Sequence, residues 1–351
     1  MKIRFRILFM LTAATLAAVS CAKKNDEDYN VVEQASLDAW MKINAPDAQK
    51  LDNGMYIETV TPAPEGAAAP AIGNWVRINY TGKSLEGNVF VTRYKKVAEQ
   101  QGTSTLHTYY EPQYLLYQNY NTSFTQGQLT ALQQMRQGQV VTIYMPSSLA
   151  YGAYGSSYSG GYEGQYALSA NVPAIMTMEL NEVVTDPTAR ETGMVMDYAV
   201  NEWAIERPEK DSTFFFKIIE GNEDEKTKIT VDSTVSIYYI GSFLDGFIFD
   251  TNIDSVAQRV FNDYDENSAT SYTPKDGGMI QAFYEAVPRM HYGDRAKMVF
   301  TSEWGYGSTG NSSGETVIQP YTPLVFEFWI ETNQDEEEEE DGDDSGSGSE
   351  N

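Results

Sequence analysis

Few side chains in this 351-residue chain can carry out nucleophilic or metal chemistry. It contains one cysteine and two histidines, His107 and His291, beside 24 Lys+Arg and 50 Asp+Glu residues. These three side chains cannot form a disulfide within the chain or a Cys/His zinc cluster. A histidine-based triad would need His107 or His291, and both stand in settings typical of loops or surfaces, STLHTYYEP and PRMHYGDR. The sequence therefore predicts no metal site and no cofactor.

The composition favours folded, acidic domains. The formal net charge is −26, and 41% of the residues are hydrophobic and 13% aromatic. At about 150 residues per domain, the length predicts two domains, each large enough to bury its own core. An acidic protein repels phosphate backbones and anionic lipid surfaces, so we expect no nucleic-acid partner.

The only cysteine, Cys21, is expected to carry a lipid. Residues 1–20 predict a lipoprotein signal peptide, because three basic residues within the first six precede an uncharged run over residues 7–19. As a helix this run would extend about 20 Å, less than a bilayer core of about 30 Å. The AVSC end resembles a bacterial lipobox, whose cysteine is diacylated and becomes the mature N-terminus. A membrane anchor through Cys21 follows, the alternative being a plain cleaved signal with an incidental cysteine.

Polar segments follow the anchor and close the chain. Residues 21–34 predict a tether, and its acidic cluster (residues 26–28) resembles the surface-export signal of Bacteroidetes lipoproteins. We therefore expect the protein in the cell envelope, at the periplasmic or surface face of the outer membrane. Residues 334–351 contain ten carboxylates and no apolar side chain, which predicts a disordered tail. Loose binding of divalent cations is the alternative role of that tail.

The interior of the chain repeats itself. WVRINYTGKSLEGNVF matches TVSIYYIGSFLDGFIF, and each is typical of a hairpin with a Glu-Gly or Asp-Gly turn. LTALQQMRQGQVVTIYMPSSLAYGAYG matches FYEAVPRMHYGDRAKMVFTSEWGYGSTG, with a short helix, a glycine, an apolar strand and a Tyr-Gly turn in each. The offset is 159 at Tyr80/Tyr239 and 155 at Tyr151/Tyr306. Two constant offsets indicate a duplicated domain whose copies differ in one internal loop.

The repeat also predicts the elements within each copy. Apolar residues share one helical face before a glycine in each copy: Leu129, Leu132 and Met135 before Gly138, and Phe283, Val287 and Met290 before Gly293. Pro288 lacks an amide and crowds the preceding turn, so the second of these helices should be short, kinked or restarted. A helix-like stretch and a strand precede each copy.

Each copy contains a long internal loop, and a separate link joins the two copies. The internal loops run from about Thr92 to Ser123 and from Thr251 to Gly278, and connections of this length are usually functional or carry structure of their own. The link between copies is predicted near residues 184–191, where Pro187 breaks the pattern. The predicted domains are residues 35–186 and 190–333.

This order of motifs resembles the FKBP-type peptidyl-prolyl cis-trans isomerases. The likeness covers residues 75–183 and 234–331 and depends on YTG, VF and AYGAYG in the first copy and on FDT, GYGSTG and PLVFEF in the second. It implies an α+β fold of two FKBP-like domains, each an antiparallel sheet wrapped around a short helix with an apolar pocket between them. It also implies Xaa-Pro segments of exported proteins as substrates.

The resemblance implies a nearly complete pocket in the second copy. Catalytic roles are implied for Phe249, Asp250, Phe283 and Tyr306, and substrate-binding roles for Tyr239, Ile280, Ile318 and Phe326. Phe283 stands where the family usually has a tryptophan floor, and Ile280 where a backbone amide holds the substrate carbonyl. Two roles stay open for Asp250: it orients Tyr239 or caps the turn that follows, or it acts on the substrate electrostatically.

The first copy departs from the same pattern. Tyr80, Phe90 and Tyr151 are kept, but the acid is replaced by Val91, the floor by Gln128, the carbonyl-holding position by Thr125 and the last-strand aromatic by Met176. A polar floor is a poor environment for a proline ring, so we expect the first domain to be inactive. A one-residue shift in the alignment would instead place Leu129 in the pocket.

Prolyl isomerisation suits a chain poor in reactive side chains. Rotation about a peptide bond faces a barrier of about 18–20 kcal/mol, yet it requires no proton transfer and no covalent intermediate. An apolar pocket that prefers the twisted amide, with a hydrogen bond to its carbonyl, is sufficient. The predicted function is therefore a peptidyl-prolyl isomerase and folding helper for exported proteins, active mainly in its second domain. The alternative is a non-catalytic surface lipoprotein that binds peptide or another ligand.

Additional tyrosines cluster in two places. Packing is the favoured interpretation for those of the first internal loop, and contact with a partner for those of the Gly-rich turn, where little core is available. The first group is Tyr109, Tyr110, Tyr114, Tyr117 and Tyr120, and the second is Tyr154, Tyr158, Tyr162 and Tyr166.

Overall fold

The computed structural model describes residues 29–118, 123–156, 166–221, 227–262 and 268–331. The predicted signal peptide, Cys21, most of the tether and the acidic tail lie outside these ranges, as do Tyr120, Tyr158 and Tyr162. Within these ranges, no helix combines the length and apolar character that a membrane span requires.

The first copy contains a seven-stranded antiparallel sheet and three helices in the described residues. The elements are α1 (Tyr29–Asn44), β1 (Gln49–Lys50), β2 (Tyr56–Thr61), β3 (Trp75–Lys83), β4 (Val89–Thr92), α2 (Lys95–Gln101), β5 (Gln113–Leu116), α3 (Gln126–Leu132), β6 (Val140–Met145) and β7 (Ala174–Val184). The strand order is β1-β2-β6-β7-β3-β4, and β5 pairs with β3. The core lies between this sheet and the short helix α3.

The second copy repeats this plan with a six-stranded sheet. The elements are α4 (Pro187–Trp203), β8 (Phe214–Glu220), β9 (Val235–Ser242), β10 (Ile248–Thr251), α5 (Asp254–Phe261), β11 (Thr270–Tyr272), α6 (Gln281–Ala286), β12 (Arg295–Phe300) and β13 (Leu324–Ile330). The strand order is β10-β9-β13-β12-β8, and β11 pairs with β9. The core lies against the short helix α6. The two sheets with their short helices confirm the predicted α+β architecture.

The hairpin turns form where the Glu-Gly and Asp-Gly pairs predicted them. Gly87 has φ +91° and its amide donates to Ser84, while Gly246 has φ +87° and its amide donates to Phe243. Both glycines occupy the left-handed region, which side chains with a Cβ rarely adopt. The turn residues therefore fix the pairing of β3 with β4 and of β9 with β10.

Both short helices end earlier than their apolar patterns predicted. Helix α6 ends at Ala286, and a 3₁₀ turn over Val287–Arg289 accommodates Pro288, which confirms the predicted interruption. In the first copy α3 ends at Leu132. Met135 and Met290 lie beyond these helices and not on a helical face, although both are buried. The shared-face prediction is therefore wrong for these two methionines, because the tightened last turns redirect the chain into the core.

Helix α4 begins inside the segment that was predicted to link the copies. Pro187 is its first residue, and Asp186 caps it by accepting a hydrogen bond from the Ala189 amide at 2.9 Å. Proline is well suited to this position because its missing amide would have no partner there. Pro187 thus starts a helix, whereas the sequence pattern placed it in the link between the copies. The internal loops contain α2 with β5 and α5 with β11, which confirms that they carry structure of their own.

A buried glutamate joins the leading helix of each copy to its sheet domain. Glu33 of α1 accepts hydrogen bonds from the amide and hydroxyl of Ser147 at 2.5 and 2.7 Å. Glu191 of α4 accepts the same pair from Ser302 at 2.8 and 3.0 Å. Both glutamates are less than 10% exposed. We call each arrangement a carboxylate latch, and each fixes the 3₁₀ turn that precedes the Tyr-Gly tyrosine of its domain.

The first internal loop packs against the second domain. The ring of Tyr109 lies 4.4 Å from that of Phe243, and its hydroxyl donates to Asp245 at 2.8 Å. The His107 ring stacks on Phe261 at 4.3 Å. Packing was the predicted role of this tyrosine group, and the structure confirms it for Tyr109.

Gln319 of the second domain binds the backbone of the same loop. Its Oε1 accepts from the Tyr114 amide at 2.6 Å, and its Nε2 donates to the Pro112 carbonyl at 3.1 Å and to the Glu111 carboxylate at 2.7 Å. Tyr321 packs edge-on against Tyr114 at 6.1 Å. These polar and aromatic contacts set the two domains in one arrangement.

Candidate functional site

Three strands, one helix and the Tyr-Gly turn converge on an aromatic cluster in the second domain. Phe283 of α6 lies 5.2 Å from Phe326 of β13, which lies 5.7 Å from Phe249 of β10. Tyr239 of β9 lies 6.4 Å from Phe283 and 5.9 Å from Phe326. Tyr306 packs against the same core from the Tyr-Gly turn. We call these five residues the aromatic cluster. The structure thus brings together side chains that are up to 87 positions apart in the sequence.

The cluster has a buried base and a half-buried rim. Phe249, Phe283 and Phe326 are 6%, 1% and 4% exposed, whereas Tyr239 and Tyr306 are half-buried. Burial raises the pKa of both tyrosines above the usual value. Their hydroxyl groups therefore stay protonated at neutral pH and can donate hydrogen bonds at the rim.

Asp250 lies beside the cluster and binds Tyr239. The Tyr239 hydroxyl donates to its carboxylate at 3.0 Å, while the Tyr239 amide donates to Asn252 at 2.8 Å and its carbonyl accepts from Thr251 at 2.7 Å. Asp250 is exposed, but neighbouring atoms partly desolvate its carboxyl group and raise its pKa, against the opposing effect of the Tyr239 hydrogen bond. The hydrogen bond between Tyr239 and Asp250 has the geometry that an orienting role for Asp250 requires.

The glycine two residues after each hairpin tyrosine makes room for the phenylalanine on the neighbouring strand. A Cβ at Gly241 would lie 2.8 Å from Cζ of Phe249, and one at Gly82 would lie 2.6 Å from Cζ of Phe90. Such distances are too short for carbon atoms, so only glycine lets the ring lie flat on the strand. The sequence showed the YTG and YIG motifs, but it gave no reason for their glycines.

Ile280 and Ile318 lie at two edges of the aromatic cluster. Ile280 is the N-cap residue of α6 and is half-buried against the core. Ile318 is 4% exposed and is held by paired backbone hydrogen bonds with Asn311 at 2.7 and 2.8 Å. The structure thus places every residue implied for the second pocket around one cluster.

The equivalent site of the first domain is a cavity of about 620 Å³. Tyr80, Val91, Gln128 and Tyr151 line it, and residues 309–320 of the second domain form the facing wall. Gln128 is 4% exposed and occupies the floor position, whereas Leu129 points into the core. The unshifted alignment is therefore the one that agrees with the structure.

A capping box fixes the polar floor. The Gln128 amide donates to the Thr125 hydroxyl at 3.2 Å, and the Thr125 amide donates to Gln128 Oε1 at 2.8 Å. Thr125 is the N-cap of α3, as Ile280 is of α6. The reciprocal bonds hold the Gln128 side chain in a single orientation.

Two implied first-domain residues lie in the core. Met176 is fully buried opposite Gly82 in the β7–β3 register, as Phe326 lies opposite Gly241 in the second domain. Phe90 packs edge-on against Tyr151 at 5.2 Å. Among the described residues, neither Met176 nor Phe90 is part of the cavity lining.

Other candidate groups of the sequence lie apart from the two sites. His291 is half-buried in an isolated β-bridge with Lys228, and its Nδ1 lies 3.5 Å from the Asp294 carboxylate. Tyr114 and Tyr117 are buried, as the packing interpretation predicted, while Tyr154 is 87% exposed. In the part of the chain that the structure describes, no group of three His, Cys, Asp or Glu side chains could hold a metal ion.

The carboxylate latches were missed by sequence reasoning. Each pairs a glutamate on a helix with a serine more than 100 residues away, so no local pattern connects them. The available signal was the duplication itself, because Glu33 and Glu191 occupy matching positions in the two leading helices, as do Ser147 and Ser302 before the Tyr-Gly turns.

Comparison with known proteins gives the same family for both copies. A family model described as FKBP-type peptidyl-prolyl cis-trans isomerase matches residues 66–172 and 225–330. Peptidyl-prolyl cis-trans isomerase Fkbp12 of Drosophila melanogaster is 29% identical over 93 residues, which cover 26% of this chain and 73% of the relative.

Two further similarities differ in how much of the relative they cover. FK506-binding protein 5 of Rhizopus delemar is 28% identical over 100 residues, 27% of this chain, and the chain spans only 23% of that relative. The crystal structure of the three FKBP domains of wheat FKBP73 covers 80% of this chain and 95% of its own, at 16% identity and a TM-score of 0.29.

Proposed function

Because the chain belongs to the FKBP-type peptidyl-prolyl cis-trans isomerase family, we propose that its second domain isomerises Xaa-Pro bonds in exported proteins. The observation that supports this assignment is the aromatic cluster, with the buried Phe283 beneath Phe249 and Phe326. The first domain has Gln128 at the floor position instead, so we propose that it is inactive.

The proposed mechanism needs a binding surface that favours the twisted amide. The cis and trans forms of a prolyl bond differ by only about 0.5–1 kcal/mol, so catalysis consists of lowering the rotational barrier. A twisted amide loses resonance and is less polar than a planar one, so apolar walls stabilise it relative to the ground state. Phe249, Phe283 and Phe326 provide these walls for the proline ring.

Hydrogen bonds at the rim hold the substrate during rotation. The Tyr306 hydroxyl, protonated at neutral pH, donates to the substrate carbonyl, and the backbone amide of Ile280 holds a second carbonyl. Asp250 acts through Tyr239, whose hydroxyl it orients. We therefore treat Asp250 as a positioning residue and the three phenylalanines with Tyr306 as the catalytic surface.

The cell envelope is the proposed place of action. The signal pattern of residues 1–20 and the lipobox cysteine support an exported protein that is held at a membrane through the lipid on Cys21. A lipid-anchored isomerase would meet newly exported chains while their prolyl bonds still equilibrate, which takes tens to hundreds of seconds without a catalyst. Xaa-Pro segments of such chains are the proposed partners.

A non-catalytic binding role is the second candidate, and one observation favours it for the first domain. Its cavity of about 620 Å³ retains Tyr80 and Tyr151, but the capped Gln128 replaces an apolar floor. Burying a proline ring there would leave polar groups of the cavity without solvent or a partner. The first domain is thus better suited to holding a polar ligand than to isomerisation.

The tyrosines of the two Tyr-Gly turns test which domain is catalytic. In the chain starting at Cys21, Tyr306→Phe should slow isomerisation of an Xaa-Pro tetrapeptide about 5- to 10-fold, since one hydrogen bond contributes about 1 kcal/mol or slightly more. Tyr151→Phe removes the matching hydroxyl from the first domain and should leave the rate unchanged. Proline-limited refolding of a client protein provides the second assay. No rate gain over background in either assay would exclude the isomerase function, and equal losses from both variants would exclude the assignment to the second domain.

The raised pKa of Asp250 predicts a pH-dependent rate. If the carboxylate orients Tyr239, kcat/KM should fall as the pH is lowered through a midpoint above 3.8, the ordinary value for aspartate. Asp250→Asn should have a lower rate at pH 7 and should lack this step. The same titration affects the free energy of unfolding in the opposite direction. A carboxyl group whose pKa is raised in the folded state favours folding at low pH, and this contribution is lost as the pH rises through the folded-state pKa. The same step in both proteins would assign the titration to another group, and Glu315, whose charge acts on Asp250, is the first to test.

A further inference from the structure

Ile318 lies on a second-domain loop that the first domain holds on both sides of this residue. The loop, residues 309–320, follows the Tyr-Gly turn, and Ile318 is 4% exposed in the core around the aromatic cluster. Its backbone pairs with Asn311 of the same loop. Because that pairing joins two residues of one loop, it does not by itself fix the loop against the aromatic cluster.

Thr316 and Gln319, on either side of Ile318, bind residues of the first domain. The Thr316 hydroxyl donates to the His107 carbonyl at 2.7 Å, and the Gln319 carboxamide makes three hydrogen bonds to residues 111–114. Thr316 and Gln319 are 3% and 7% exposed, so little water reaches these bonds. Breaking them would leave buried polar groups unpaired, which costs more than the bonds themselves contribute.

The surroundings of Gln319 admit one orientation of its carboxamide. Its Oε1 faces the Tyr114 amide, while its Nε2 faces the Pro112 carbonyl and the Glu111 carboxylate. The reverse orientation would place oxygen against two oxygen atoms and nitrogen against an N–H group. The bond to the carboxylate is charge-assisted and therefore stronger than a neutral hydrogen bond. The neighbouring domain thus holds the Gln319 side chain at three points.

The first-domain segment that receives Gln319 is itself anchored in a sheet. Strand β5 begins one residue after Pro112 and pairs with β3. The Glu111 carboxylate also pairs with Arg77 of β3 at 3.2 Å, and the Glu111 carbonyl accepts from Arg93 Nε at 3.0 Å. The segment is therefore a rigid support for the loop of the second domain.

The position of Ile318 matters for the proposed isomerase site, whose apolar walls stabilise the twisted amide. A displacement of about 1 Å in a group that positions substrate can cost about 100-fold in rate. We propose that Gln319 is a positioning residue of this site: by binding the first domain, it holds Ile318 at the substrate pocket. The proposal rests on the isomerase function proposed for the second domain. It gives the first domain a role that requires no catalysis of its own.

A double-mutant cycle in the chain starting at Cys21 tests this role with an Xaa-Pro tetrapeptide. Gln319→Ala should lower kcat/KM of the folded protein about tenfold, and Ile318→Ala should lower it about tenfold or more. Because Gln319 acts through Ile318, Gln319→Ala should change the rate less than about twofold in the Ile318→Ala background. A purely structural role would give additive losses. Gln134→Ala, at an exposed position of the first domain, should leave the rate unchanged.

The Cδ1 methyl resonance of Ile318 provides a readout that does not require activity. Its chemical shift depends on the nearby aromatic rings, and Ile318→Val identifies it in a spectrum of isoleucine-labelled protein. Gln319→Ala should move this resonance, whereas Gln134→Ala should not. A chain without isomerase activity would count against the proposed function alone, because the methyl resonance still shows whether Gln319 fixes Ile318.

Thr316→Val covers the case in which Gln319→Ala does not fold. It keeps the shape of the side chain, removes the hydroxyl that donates to His107, and should lower kcat/KM about two- to fivefold while moving the same methyl resonance. An unmoved Ile318 resonance, additive losses in the cycle, or an unchanged rate would each overturn the proposal. A faster rate would also overturn it, since the first domain would then restrain the pocket.

Discussion

Replacing Phe283 by alanine should destabilise the second domain by about 3–5 kcal/mol and remove its isomerase activity. The ring is 1% exposed and packs within 6.5 Å of four other rings, those of Tyr239, Tyr272, Phe326 and Phe328. Removing it loses the transfer free energy of the side chain and leaves a cavity that rigid neighbours cannot close. Because domains are commonly stable by about 5–15 kcal/mol, this loss is a large fraction of the total. Urea unfolding followed by tryptophan fluorescence measures it.

The neighbouring residue provides the matched control. Tyr284 is on the same helix and is 42% exposed, so Tyr284→Ala should change the free energy of unfolding by less than about 0.5 kcal/mol. Phe283→Leu, which keeps most of the volume, should retain a folded domain and thus allow its isomerase rate to be measured. If Phe283→Leu is folded and as active as the natural protein, the ring is only a core residue and the catalytic role proposed for it is wrong.

Loss of the carboxylate latch in the second domain should cost about 2–4 kcal/mol. Glu191→Ala leaves the amide and hydroxyl of Ser302 without their acceptor at a site where Ser302 is 3% exposed. Unpaired buried groups cost about 1–3 kcal/mol each, and the missing side chain adds a small cavity. The 3₁₀ turn that starts at Ser302 leads to Tyr306, so we also expect a lower isomerase rate in the folded fraction.

Glu191→Gln should recover most of this stability. Burial raises the pKa of Glu191, so the site tolerates a neutral side chain better than an exposed carboxylate position would. Glu202, exposed on the same helix, is the control, and Glu202→Ala should stay within about 0.5 kcal/mol of the natural protein. Thermal unfolding at pH 7 compares the four proteins. A Glu191→Ala protein as stable as the Glu202→Ala protein would show that the latch is dispensable.

Local rules of the sequence predicted the repeated architecture well. The Glu-Gly and Asp-Gly turns fix the hairpins because glycine tolerates positive φ, and Pro288 interrupts α6 because it lacks an amide. The pocket positions followed from family resemblance, and the structure gathers the second-domain set around Phe283. Gln128, assigned by the same resemblance, lines the first-domain cavity, and the capping box with Thr125 holds it there.

Contacts between distant segments could not be predicted in this way. Apolar periodicity identifies which side chains become buried, but it does not identify their partners. Tyr109 packs on Phe243 and Gln319 binds the backbone at Tyr114 across more than 130 positions. Pro187 was interpreted as a break, although with Asp186 before it the same residue starts a helix. The interdomain cavity depends on all of these contacts together, and no single segment indicates it.

The two carboxylate latches bear on the history of the chain. A helix whose glutamate accepts hydrogen bonds from a serine before the Tyr-Gly turn occurs twice, at positions that match in both halves. Independent origin of such a long-range pair in each half would require the same helix, the same acid and the same serine to arise together twice. The leading helix was therefore already joined to its sheet domain when the gene segment doubled, and the ancestral unit was this helix with its domain.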